Sequence, residues 1–207
     1  MKRLLRTPIW FWLAVAGVSL SVVMVQPAVG APTVKGDAAA WAEIVAALKR
    51  QYATSFRGKS TASGGIIIIE FAPPDSQHRI MQGFPEMIAP EGITVGNTAW
   101  KRDHNGKWDC ANPVRLSRTD AVPIWDRKGE VSITRIPDLM IGGMQTHGYA
   151  YTQTFEIGGT ALTTKERLYV GVKTGLPLRE ITDTGHTPST FDYYDYGAKI
   201  TITPPCS

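Results

Sequence analysis

Histidines, carboxylates and tyrosines are the residues here that could do chemistry, and their spacing gives them little to do together. His78, His104, His147 and His186 are scattered along the 207 residues, with no His-x-His or His-Glu-x-x-His spacing to gather a metal on one face. His104 falls inside the turn-forming run Asp103-His104-Asn105-Gly106, and His186 follows Gly185, both wet settings. Asp103-x-Asn105-Gly106 matches only the start of a calcium loop; the remaining ligands and the closing glutamate are missing. No Gly-x-Ser-x-Gly elbow and no phosphate-cradling glycine loop occurs. Asp192 and Asp195, with Tyr193, Tyr194 and Tyr196, form the densest acid/base group. In a strand, residues 192, 194 and 196 face one way and 191, 193 and 195 the other, so the carboxylates diverge. The sequence therefore assigns no catalytic residue, metal or cofactor, and reads as a non-enzyme.

A softer chemistry remains. Met81, Met87, Met140 and Met144 each sit near a turn or strand end beside Phe84, Trp125, Leu139 or Ile141. Flexible thioethers suit an apolar cavity that accepts occupants of varied shape, and they also serve as core gap fillers. Arg179, in Val170-Gly171-Val172-Lys173-Thr174-Gly175-Leu176-Pro177-Leu178-Arg179-Glu180, meets a ligand head if it points inward and is an ordinary surface charge if it points outward.

The elements that hold these residues are mostly strands. Asp37 is placed to cap one helix, in which Trp41, Ile44, Val45, Leu48 and Tyr52 recur at intervals of three and four, with Lys49 and Arg50 in the last turns. The β-branched run Ile66 to Phe71 suits a strand covered on both faces, and further strands are predicted at 77–82, 92–95 and 98–102. Asn105-Gly106 is the signature of a type I′ hairpin. Val131 to Ile136 alternates, and Tyr149, Tyr151, Phe155 and Ile157 fall on one face of the next strand. Gly142-Gly143, Gly158-Gly159 and Lys173-Thr174-Gly175 are turns; strands are expected at 189–196 and 200–203, and Pro177 at a non-bonded or edge site. This is an antiparallel meander with one helix to lie on it.

The N-terminus points to export. Lys2, Arg3 and Arg6 precede a 17-residue uncharged apolar run from Ile9 to Val25, and small residues at Ala28 and Gly30 suit cleavage after Gly30. An uncleaved inner-membrane anchor is the alternative. With residues 1–30 removed, 19 basic side chains face 18 acidic ones, a formal charge of +1, which excludes the basic stripe of a nucleic-acid binder. Residues 31–207 suffice for one domain. Its only cysteines, Cys110 and Cys206, are expected to form a disulfide in an oxidising compartment.

The order Ile-Ile-Glu-Phe-Ala-Pro-Pro-Asp (68–75), Ile-Thr-Val-Gly-Asn-Thr-Ala-Trp-Lys-Arg (93–102) with Asn-Gly-Lys-Trp (105–108), Leu-Tyr-Val-Gly-Val-Lys-Thr-Gly-Leu-Pro-Leu-Arg (168–179) and Phe-Asp-Tyr-Tyr-Asp-Tyr-Gly-Ala-Lys-Ile-Thr-Ile-Thr-Pro-Pro (191–205) resembles the LolA-like superfamily of exported proteins. The resemblance implies an α+β fold, a strongly curved antiparallel sheet or unclosed β-barrel with helices packed in its concave face. It also implies an apolar groove taking lipid or lipoprotein acyl chains, for carriage or sensing in the periplasmic cell envelope. The carriers' N-terminal arginine and phenylalanine lid signature has no obvious match, so the implication is lipid binding in general. On this reading Trp41, Ile44, Leu48, Met81, Phe84, Met87, Met140, Met144, Phe155 and Arg179 are the candidate lipid-binding residues. The alternative is the same fold with a filled interior, serving as a module for an envelope protein partner.

Overall fold

Asp37 caps the helix that the apolar spacing predicts: its carboxylate accepts from the Ala40 amide at 2.9 Å, and α1 runs Ala38–Tyr52. In this computed structural model the described residues are 30–62, 64–85, 88–116, 123–157, 160–183 and 188–206; all but Gly30 of the leader read at 1–30, Met87, the Gly158-Gly159 turn and His186 lie outside them. Among the described residues no helix is long and apolar enough to cross a membrane.

Thirteen strands form one sheet that does not close: β1 (Thr33–Gly36), β2 (Phe56–Ala62), β3 (Gly65–Ala72), β4 (Ser76–Gln82), β5 (Glu91–Val95), β6 (Thr98–Arg102), β7 (Val114–Arg115), β8 (Gly129–Ile136), β9 (Met140–Ile141), β10 (Met144–Ile157), β11 (Thr160–Gly171), β12 (Pro177–Asp183) and β13 (Ser189–Tyr194). Their order is β1-β8-β10-β11-β12-β13-β2-β3-β4-β5-β6-β7, with β9 on β10; only β1–β8 is parallel. This is the α+β fold with an unclosed, curved antiparallel sheet that the resemblance implies.

Cross-strand partners share a face, so the register identifies the inner one. It runs Ile133↔Tyr151↔Glu166 on one side and Leu168↔Glu180↔Phe191↔Ser60↔Ile67↔Met81 along the rest. The helix lies over its first part, burying Trp41, Ile44 and Leu48 against Val131, Ile133, Tyr149 and Leu168. Polar ties hold it there: Arg135 reaches Glu43 at 2.6 Å and Asp37 at 3.3 Å, and the Tyr149 hydroxyl donates to Glu43 at 2.5 Å. A second cluster, Phe56, Ile67, Ile69, Met81, Phe191 and Tyr193, covers the rest of this face.

Several local expectations are corrected. The strand at Ile66–Phe71 is not covered on both faces: Ile67 and Ile69 are buried, while Ile66 and Ile68 are half-buried on the outer face. The Asn105-Gly106 turn is not type I′, since only Gly106 has a positive φ (81°); the Asp103 carboxylate accepts from the Asn105 and Lys107 amides at 2.9 and 2.8 Å and holds the other geometry. Residues 200–203 form no strand, because β12 and β2 already occupy both edges of β13. That tail runs instead to the expected Cys110–Cys206 disulfide, with a Cα separation of 5.7 Å. Tyr196 is turned back among the inner aromatics by Asp195, whose φ is +53°. Pro177 begins β12 opposite a register shift at Tyr169/Val170, where its missing donor is tolerated.

Candidate functional site

Six rings run as a string along the inner face. Trp125 meets Tyr52 edge-on (5.7 Å between centroids), Tyr52 meets Phe71 (6.0 Å), Phe71 stacks on Phe56 (5.1 Å), Phe56 meets Tyr193 (5.6 Å) and Tyr193 meets Phe191 (4.6 Å). The string joins the end of α1 to β2, β3 and β13, elements far apart in sequence. Tyr52 is its informative member. Its ring touches aromatics on two sides and desolvation raises its hydroxyl pKa, yet 51% of its surface remains accessible. Tyr52 thus presents accessible apolar surface at the C-terminal turn of α1, against Phe71 of β3 and Trp125.

Below that string the inner face is polar. Tyr193 donates to Glu180 at 2.6 Å and Tyr151 donates to Glu166. Glu180 is pushed up to about 8, first by burial and then by the charge of Glu166, against the opposing pull of the Tyr193 hydrogen bond. One carboxyl in this pair is therefore held neutral. Gln51, on α1, donates to the Tyr196 hydroxyl at 3.2 Å, and that hydroxyl donates to the Pro177 carbonyl at 2.7 Å. On β4, the Gln77 Nε2 and Arg79 Nε donors are buried with no hydrogen-bond partner.

The outer face is built differently. An unbroken chain of polar contacts crosses it: Asp195–Arg57 at 3.1 Å, Arg57–Glu70 at 2.8 Å, Glu70–His78 at 3.4 Å, His78–Glu91 at 2.9 Å and Glu91–Arg102 at 2.7 Å. Exposed pairs of this kind contribute little singly, but together they link β2 to β6. His104 bonds the Ile88 carbonyl and His147 pairs with Asp138 at 3.3 Å; among the described residues no group of side chains is arranged to hold a metal. A broad outer depression of about 680 Å³ on β1, β8, β10, β11 and β12 mixes apolar surface, from residues such as Ala150 and Ile181, with charged groups such as Lys35, Lys165 and Arg167.

The sequence-selected residues separate into groups. Trp41, Ile44 and Leu48 lie in the helix cluster, and Met81 lies in the second cluster with Phe84 packed against it. Phe155 is buried on the inner face beneath the Arg127 guanidinium, 5.1 Å from its ring. Met140 and Met144 are 66% and 44% exposed on the β9–β10 hairpin, apart from both clusters. Arg179 points outward, its Nε and Nη2 donating to the two carboxylate oxygens of Asp192 at 2.5 and 3.0 Å, the surface-charge alternative. Met87 lies outside the described residues. Sequence reasoning missed Tyr52 as a lining residue and Phe56, Phe71, Gln77 and Arg79 altogether. A signal was present for Arg79, two residues from Met81 and hence on the same strand face.

No protein-family model and no curated protein sequence matches the chain. Among solved structures it is similar to the lipoprotein LppX of Mycobacterium tuberculosis, at 12% identity over 81% of this chain and 100% of LppX, with a TM-score of 0.56. It is also similar to LprF from Mycobacterium bovis, at 13% identity over 88% of this chain and 100% of LprF, with a TM-score of 0.53. At this identity the likeness concerns the fold alone: the chain shares the fold of these two mycobacterial proteins.

Proposed function

We propose that this protein binds the acyl chain of a lipid or lipoprotein along the aromatic string of its inner face, for carriage or sensing in the cell envelope. The observation that carries this reading is the accessible surface of Tyr52 inside an aromatic enclosure. The accessible face of Tyr52, with the half-buried Trp125 and Phe71 beside it and Phe56 behind, offers apolar surface, and burying the surface of a chain there contributes about 25 cal/mol per Å². Met81 and Phe84 continue the apolar surface beside Ile67 and Ile69, while Trp41, Ile44 and Leu48 fix the helix whose last turn carries Tyr52. The apolar run from Ile9 to Val25 behind Lys2, Arg3 and Arg6 supports an exported protein, and the Cys110–Cys206 bridge fits an oxidising compartment. The test is displacement of a fluorescent fatty acid from the purified exported protein by oleate. Saturable one-to-one displacement supports the reading, and a probe that never binds removes it.

A second reading, docking to an envelope protein, rests on a different observation. Leu139 (42%), Met140 (66%), Met144 (44%) and Val172 (42%) expose apolar surface close together in the chain pairing at β9 and β10. Photocrosslinking from position 140 in the intact envelope tests it; capture of one protein partner supports it, and no crosslink counts against it.

A further inference from the structure

Gln77, His78 and Arg79 divide between the two faces of β4. His78 turns outward between Glu70 and Glu91. Gln77 and Arg79 turn inward, paired across β3 with Phe71 and Ile69. There the Arg79 Nε and Gln77 Nε2 donors are buried without partners, and among the described residues no carboxylate lies within ion-pair distance of Arg79. Burial pulls its pKa down with no opposing charge. Elsewhere on the sheet the pattern is opposite: Arg57, Arg102, Arg135 and Arg179 each hold a carboxylate.

An arginine kept only for packing would carry a desolvation penalty that a methionine avoids. The residue paired with Arg79 on β5 is Gly92, and Arg79 Nη2 lies 3.6 Å from where a Cβ would sit, so no side chain of Gly92 covers the guanidinium. Two unsatisfied donors two residues apart, one of them cationic, match the paired oxygens of a planar or tetrahedral anion. They stand next to Phe71, at the middle of the aromatic string.

We propose that Arg79 and Gln77 bind the anionic head group, carboxylate or phosphate, of an amphiphile whose acyl chain lies along Tyr52, Phe71 and Phe56. The assignment rests on the acyl-chain reading above and adds to it the charge of the ligand and the position of its head. A neutral lipid would leave both donors unsatisfied.

The test compares binding of oleate, dioleoylphosphatidate, methyl oleate and inorganic phosphate to the purified exported protein and to its Arg79→Met, Arg79→Lys and Gln77→Leu variants. Arg79→Met is expected to weaken oleate or phosphatidate roughly 10- to 100-fold while moving methyl oleate less than about twofold. Arg79→Lys should retain part of the anion preference, and Gln77→Leu should lose less than Arg79→Met. Without ligand, Arg79→Met should melt at the wild-type temperature or above it; a lower melting temperature marks a packing arginine and counts against the proposal. Equal effects on oleate and methyl oleate, or none on either, overturn the head-group site while leaving acyl binding standing. Arg79-dependent binding of inorganic phosphate alone, with no gain from a chain, overturns the amphiphile in favour of a free anion. If the wild type binds none of the three lipids, the acyl-chain reading fails and this proposal fails with it.

Discussion

Tyr193 and Glu180, on adjacent strands, share a 2.6 Å hydrogen bond inside the inner face, with the phenol donating to a carboxyl that burial keeps protonated far above its usual range. Tyr151 and Glu166 repeat the pairing on β10 and β11. Two phenol–carboxyl pairs thus underlie an aromatic surface, where burial raises the pKa of both phenols and of Glu180.

The pH consequence has a definite sign. Glu180 has an ordinary value of 4.5 and is pushed up to about 8 in the folded chain. Below pH 4.5 both states hold the proton. Between 4.5 and about 8 the unfolded chain releases it first, so stability should fall as pH rises and level off above 8. Glu70, held below its ordinary value chiefly by Arg57, acts in the opposite direction and only as pH drops below about 4.5. Melting curves from pH 5 to 9 should show the decline for wild type and a flatter profile for Glu180→Gln. Identical profiles would contradict the assignment.

Tyr52 and Phe71 separate binding from stability. Tyr52→Ala removes a half-exposed ring, so its stability loss should stay near or below about 1 kcal/mol, while fatty-acid affinity should drop roughly tenfold. Phe71→Ala should lower both. Met140→Ser with Met144→Ser, on the exposed hairpin, should leave fatty-acid affinity unchanged. Titration of the fluorescent probe beside a denaturant melt reads all three.

Gly58 is constrained by its neighbour: a Cβ there would lie 2.1 Å from the Phe191 ring. Gly58→Ala should therefore cost about 1–3 kcal/mol, as overpacking does. Combining it with Phe191→Leu should recover part of the loss, a coupling that chemical denaturation of the double mutant would reveal.

The Cys110–Cys206 bridge closes a 96-residue separation and ties the tail after β13 to the loop after β6. Cys110→Ser with Cys206→Ser should cost about 2–5 kcal/mol. Because the aromatic string lies elsewhere, probe affinity at a temperature where the variant remains folded should be preserved. A parallel loss of affinity would show that the tail helps shape the site.

Legibility followed local pattern. The α1 boundaries, the alternation of Tyr149, Tyr151 and Phe155 and the disulfide were readable because each is written in cap chemistry, period or cysteine count. β2 was not, since its inward residues are Phe56, Gly58 and Ser60: the apolar mass over Gly58 comes from Phe191, more than a hundred residues away in the chain. β1 escaped because it is four residues long and pairs in parallel with a distant strand. The site was less legible than the fold. Methionine enrichment pointed to Met81, but also to an exposed hairpin at Met140 and Met144. The string of rings exists only because β13 inserts between β12 and β2, an arrangement without a local sequence signature.

Native mass spectrometry of the exported protein, purified from its own membranes under gentle conditions, addresses the central claim most directly. The account expects a disulfide-bonded chain carrying one lipid, released on collisional activation as an anion bearing an acyl chain. A spectrum of bare protein only, unchanged after incubation with oleate or dioleoylphosphatidate, would contradict it.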